Sequence, residues 1–134
     1  MKKIIYLSFI LLVSIACNDA ELKASIERGA VVYSESCIRC HMSEGIDTNE
    51  RYPPLAGSNW LTEKRKETIH ATKYGLRGEI TVNGVQYKDI MIPMGLTDEE
   101  VADVLNYIMN SWGNTQKKKV TPEEVKEIPK KMPR

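Results

Sequence analysis

Cys37-Ile38-Arg39-Cys40-His41 is a C-x-x-C-H stretch, and that spacing reads as a site for covalent attachment of c-type haem. Each residue type has its task. Two thiols add across the two vinyl groups of one haem, and two intervening residues let both sulfurs reach the same edge of the macrocycle. The histidine directly after the second cysteine then stands beneath the iron as proximal ligand. A Cys-x-x-Cys pair by itself also fits a redox disulfide or half of a zinc site. A zinc site needs further Cys or His ligands, and only Cys17 and His70 remain. A thioredoxin-like dithiol needs a βαβ setting, which the flanking pattern does not supply.

Upstream of the motif, Asp19 to Ser36 reads as the first helix. Leu22, Ile26, Gly29 and Tyr33 recur at helical spacing. A glycine inside a helix costs about 1 kcal/mol against alanine, so Gly29 predicts the close approach of another helix. Further back, Lys2 and Lys3 precede an apolar run from Ile4 to Ala16, the pattern of an export leader. The run is shorter than the ~20 apolar residues of a comfortable membrane span. It ends in Ser14-Ile15-Ala16-Cys17, which resembles a bacterial lipoprotein box, with Ser14 where leucine is usual. Lipidation of Cys17 would also account for the odd one of three cysteines in an exported chain. Ordinary cleavage near Ala16 or Ala20 is the other reading. Export suits the haem reading, because covalent attachment needs thiols delivered outside the cytoplasm.

Downstream, Ser43 to Arg51 is a polar loop, and Tyr52-Pro53-Pro54-Leu55-Ala56-Gly57 is stiffened by its prolines. A helix is expected over Leu61 to Tyr74, capped by Ser58 or Thr62 and ended by Gly75 and Gly78. Ile80 to Tyr87, with Asn83-Gly84 in the middle, predicts a β-hairpin. Ile90-Met91-Ile92-Pro93-Met94-Gly95 is an apolar loop. Thr97 and Glu100 form a capping box for a last helix running to about Trp112. Its stripe is Val101, Val104, Leu105, Ile108 and Trp112. Residues 115–134 are rich in Lys and Pro, and read as poorly ordered or wrapped over the body.

The whole chain is one domain's worth at 134 residues, 42% apolar and 28% charged. Its net charge of +1 hides an asymmetry. From Cys17 to Gln116 there are 10 Lys/Arg against 15 Asp/Glu, a net −5, whereas residues 117–134 carry 7 against 3, a net +4. Neither part has the patterned basic and aromatic residues of a nucleic-acid binder.

With these features in place, the chain resembles class I c-type cytochromes over roughly residues 22–114. Gly29-x-x-x-Tyr33-x-x-x-Cys37 looks like the family's first helix, with Val104 and Tyr107 as partner positions on the last. The resemblance implies an all-α fold, with crossed N- and C-terminal helices around one haem c and a short β-hairpin. It divides the chain into a lipoprotein-type signal peptide (1–16), a linker (17–21), a cytochrome domain (22–114) and a basic tail (115–134). Pro53-Pro54-Leu55-Ala56-Gly57 is similar to the segment after the family's haem motif. Pro53 and Leu55 are therefore expected against the cofactor, with the Pro53 carbonyl accepting a hydrogen bond from His41 and so orienting it.

Met91-x-x-x-Gly95 is similar to the family's distal methionine loop. Met91 is the expected second axial ligand beside His41, Met94 the second choice and His70 the third; Met42 adjoins the proximal ligand and would struggle to reach the other haem face, and Met109, on a helix, suits packing. For the propionates, Arg51, Asn59, Trp60 and Arg77 can donate, although each has a solvent or packing role open to it. The implied function is single-electron transfer between redox proteins (dehydrogenase, oxidase or reductase), on the periplasmic side of a membrane and held there by lipid. The rival is a haem enzyme or gas sensor, which needs an open distal position and polar groups around it.

Overall fold

The computed structural model describes the backbone of residues 2–116 and 118–131, and side chains from Asp19 onward. The side chain of Cys17, and with it the expected lipidation, lies outside the described residues. The elements are α1 (Lys2–Ser36), α2 (Ile38–His41), α3 (Asn59–Glu63), α4 (Arg65–Tyr74), β1 (Ile80–Val82), β2 (Val85–Tyr87), α5 (Asp98–Ile108) and α6 (Pro122–Glu127). The protein is thus helical with one two-stranded antiparallel sheet. No helix among the described residues is long and apolar enough to cross a membrane.

The first helix does not begin at Asp19 as expected but continues back through the apolar run to Lys2. No proline interrupts that stretch, so nothing local stops it. It ends at the haem motif, where α2 makes one further turn.

The predicted single helix over residues 61–74 is two helices, broken at Lys64 with φ −122° and ψ 44°. The break follows from two different anchors. Asn59 and Asn83 exchange side chain-to-backbone hydrogen bonds at 2.9 Å, and Trp60 Nε1 donates to the Thr81 carbonyl at 2.8 Å, so the hairpin orients α3. The direction of α4 is set instead by buried Ile69, Thr68 and Thr72. The hairpin pairs Ile80 with Tyr87 and Val82 with Val85, and its turn residues Asn83 and Gly84 have the positive φ of a type I′ turn.

Helix α5 begins at the expected capping box. It stops at Ile108 rather than near Trp112, because side chains take its last carbonyls: Asn110 Nδ2 bonds the Asn106 oxygen, Ser111 Oγ that of Tyr107 and Asn114 Nδ2 that of Ile108. Trp112 lies beyond the helix with φ +52° and packs on Tyr33 and Tyr107. Val101, Val104, Leu105 and Ile108 form the buried stripe.

Helices α1 and α5 cross at Gly29. A Cβ there would stand 2.5 Å from the Asp103 carbonyl carbon and 2.9 Å from Tyr107 Cβ. Beside the crossing, Asp103 accepts from Ser25 Oγ at 2.6 Å and from two Arg28 nitrogens at 2.6 and 2.8 Å. The tail wraps back over the body. Val120, Val125 and Ile128 are buried in the core. Asn106 pins the backbone of Val120, and Arg65 meets Glu124 with two 2.7 Å hydrogen bonds. The Lys-rich composition concealed these three apolar anchors.

Candidate functional site

Helix α2 turns tightly: the amides of Cys40 and His41 both donate to the Cys37 carbonyl, at 3.1 and 3.0 Å. This places Cys37, Cys40 and His41 along one side of an open-mouthed cleft. The cleft has two adjoining parts of about 660 and 710 Å³. Both are walled by Cys37, His41, Pro53, Leu76, Ile80 and Met91. The inner part is closed by core residues, Leu61, Leu105 and Ile108 among them, and Leu55 lines it too. The outer part reaches Cys40 and Met94, and its rim carries exposed Ile90 and Ile92.

Cys37 and Cys40 form no disulfide with each other. Burial, with Cys40 alongside, pushes the Cys37 thiol up to about 11, so the neutral S–H is the form it presents. Burial pushes His41 below its ordinary value, and the Pro53 carbonyl and Asp47 partly offset this. The ring is therefore held neutral, the form that ligates metals. Its Nδ1 is buried and lacks a partner at hydrogen-bond geometry. The Pro53 carbonyl is near enough to favour a proton on the ring, but falls short of a formed bond.

The loop that carries Pro53 is fixed at several points. Asp47 accepts from the amides of Asn49, Arg51 and Tyr52, and these bonds hold its carboxyl below the usual range. The Gly45 carbonyl accepts from Leu55 and Ala56 at 2.7 and 3.1 Å. Gly45, at φ +66°, has the Trp112 ring where a side chain would be; a Cβ there would lie 2.5 Å from Cε3. Asn114 Nδ2 donates to the Leu55 carbonyl at 3.0 Å, and Trp112 Nε1 to that of Ser43 at 2.9 Å. The segment that follows α5 thus clamps the loop facing His41. Sequence reasoning missed the parts played by Gly45, Asp47 and Asn114. A glycine of positive φ opposite an aromatic leaves no local pattern to read.

Met91 lines both parts of the cleft and Met94 only the outer one. The Met91 backbone is tied to Leu76 by two hydrogen bonds, 2.8 and 3.0 Å. His70 lies on neither wall; its Nε2 is 3.0 Å from the Lys130 carbonyl, and its ring packs on Tyr74. Met109 is in the core, and the Met42 carbonyl accepts from Tyr33 Oη at 2.7 Å. Among the propionate candidates, Arg51 pairs with Asp89, while Asn59 and Trp60 are committed to the hairpin.

Two thiols, a neutral imidazole with an unsatisfied ring nitrogen, a thioether and apolar walls are a donor set and a shape that fit haem. The family model for cytochrome c matches residues 26–112. The chain belongs to the cytochrome c family. This cytochrome is 36% identical over 131 residues to cytochrome c-552 of Thermus thermophilus, covering 91% of its own length and 83% of that protein. It is also similar to the cytochrome c subunit of the quinone alcohol dehydrogenase of Gluconobacter oxydans, at 29% identity over 75% of this chain and 21% of that one. A third relative is subunit CcoP of the Cbb3-type cytochrome c oxidase of Cereibacter sphaeroides, at 30% over 76% and 36%. As a member of the family this cytochrome carries covalent haem c and transfers electrons.

Proposed function

We propose that this cytochrome is a monohaem shuttle between a dehydrogenase-type donor and an oxidase- or reductase-type acceptor, not an enzyme in its own right. Cys37 and Cys40 would hold the cofactor by thioethers, and His41 and Met91 would ligate its iron. The observation that carries this reading is the single cleft walled by Cys37, His41 and Met91 together. Haem c supplies a one-electron couple, and everything else falls to the chain. Neutral His41 offers one ring nitrogen, and the nearby Pro53 carbonyl favours keeping the ring's single proton on the other. The apolar inner wall excludes water, which penalises the more charged redox state. Exposed Ile90 and Ile92 on the rim allow a partner to approach the outer cleft without stripping water from charges. The printed descriptions of two relatives, subunits of an alcohol dehydrogenase and of an oxidase, support a partner of that kind.

Haem staining tests the attachment. A band that survives SDS is expected, and its loss from Cys37→Ala/Cys40→Ala protein. Haem that washes out of the wild type in acid-acetone sinks the thioether assignment.

The place of action belongs to the same proposal: the periplasmic side of a bacterial membrane, with lipid on Cys17. The apolar run ending in Ala16-Cys17 supports it. Several acyl chains on one residue anchor far more firmly than one, at about 0.8 kcal/mol per buried CH₂. Mass spectrometry of the membrane fraction is expected to find diacylglyceryl on an N-terminal Cys17, and Cys17→Ser to release the protein with an unchanged spectrum. A soluble mature form starting after Ala20 would contradict it.

A further inference from the structure

Gly75 closes α4 with φ +79° and ψ 177°, its amide donating to the Ala71 carbonyl at 2.9 Å. Read from the sequence it is a helix stop. In the folded chain it is also the point where the loop of Met91 lies against the helix. A Cβ at Gly75 would stand 2.5 Å from the Met91 carbonyl oxygen and 3.0 Å from both N and Cδ of Pro93. These are backbone and ring atoms, which cannot swing aside as the end of a long side chain does. The next residue, Leu76, makes the two backbone hydrogen bonds that hold Met91.

The platform itself is rigid. Ile69 is fully buried, Lys73 pairs with Asp98 at 2.6 Å and donates to the Val125 carbonyl, and Tyr74 Oη donates to that of Ile128. The end of α4 is therefore fastened to α5 and to the tail, and the loop takes its position from it.

We propose that Gly75 is the positioning residue for Met91. By having no side chain it lets the Met91 carbonyl seat on the end of α4, and the Leu76–Met91 hydrogen bonds then fix where the thioether stands on the cleft wall. The inference rests on Met91 being the distal ligand. With alanine at 75 the Met91–Pro93 backbone has to move out, while the thiols and His41 keep their own supports.

The test uses the haem-loaded full chain in four forms: wild type, Gly75→Ala, Gly78→Ala and Met91→Ala. Gly78 controls for backbone strain, having φ +102° and open space where a Cβ would go. Two quantities are read: the methionine-to-iron charge-transfer band, and the rate at which imidazole binds the ferric protein. Gly75→Ala is expected to weaken or shift the band and to speed imidazole binding roughly tenfold or more, the effect of one overpacked contact. Gly78→Ala is expected to leave both as in the wild type. Equal effects in the two glycine variants overturn the inference, since strain alone would then suffice. A wild-type band and rate in Gly75→Ala, with the band lost in Met91→Ala, overturn it alone. A band that persists in Met91→Ala overturns the ligand reading and this inference with it. Should Gly75→Ala not accumulate, hydrogen exchange of the wild type decides: the Leu76 and Met91 amides are expected to be protected like the α4 core, and free exchange at Met91 overturns the inference.

Discussion

Replacing Met91, the proposed distal ligand, by alanine is expected to remove the methionine-to-iron charge-transfer band and to lower the reduction potential by roughly 0.1–0.3 V, within the ~0.8 V span that axial ligation covers. A thioether is a soft ligand and favours ferrous iron, so losing it favours the ferric state. Met91 is the methionine common to both parts of the cleft, and no other wall residue common to both carries a thioether. The variant is also expected to bind carbon monoxide readily and to gain peroxidase activity, because the sixth position has opened. Met94→Ala is the control. Met94 lines only the outer part and is 38% exposed, so the band should survive its removal. The reverse pattern would put the ligand three residues further along the loop. His70 is poorly placed to substitute, being on neither wall and engaged with the Lys130 carbonyl.

The second large effect is expected at the helix crossing. Gly29→Val should cost about 3 kcal/mol, the upper end for overpacking. The added Cβ meets the backbone carbonyl of Asp103, so α1 has to shift as a body. That shift also stretches the Ser25–Asp103 and Arg28–Asp103 hydrogen bonds beside it. A denaturant titration measures the change as a lower midpoint at similar slope. A nearly neutral valine would mean that the helices do not meet at this residue.

What the sequence disclosed, it disclosed through local chemistry. The C-x-x-C-H spacing, the Thr97–Glu100 capping box and the Asn83-Gly84 turn each depend on residues a few positions apart, and the capping box and the turn are present as read. The misread boundaries have distant causes. Lys64 breaks a helix because Asn59 and Trp60 answer to the hairpin. Helix α5 ends four residues before Trp112 because Asn110, Ser111 and Asn114 fold back on its carbonyls. For the tail the composition left two readings open, poorly ordered or wrapped over the body, and three apolar residues among its lysines decide for the second. In the site, the ligand candidates were legible as residue types. Their supports were not, because Gly45, Gly75 and Asp47 act through shape and backbone contacts whose partners lie elsewhere in the chain.

Gly29 and Asp103 meet at the crossing, and Cys37, His41, Pro53 and Met91 all lie between them in sequence. Docking α1 on α5 therefore closes one loop of about 75 residues around the cleft, at an entropic cost that grows as (3/2)RT ln n. A link from His41 to Met91 through a shared centre leaves only twelve residues on either side to be closed by the crossing. By the same relation that saves about 1 kcal/mol. If His41 and Met91 share that centre, loading the cofactor would strengthen the α1–α5 crossing through chain entropy, and loosening the crossing would weaken the His41–Met91 link by the same amount.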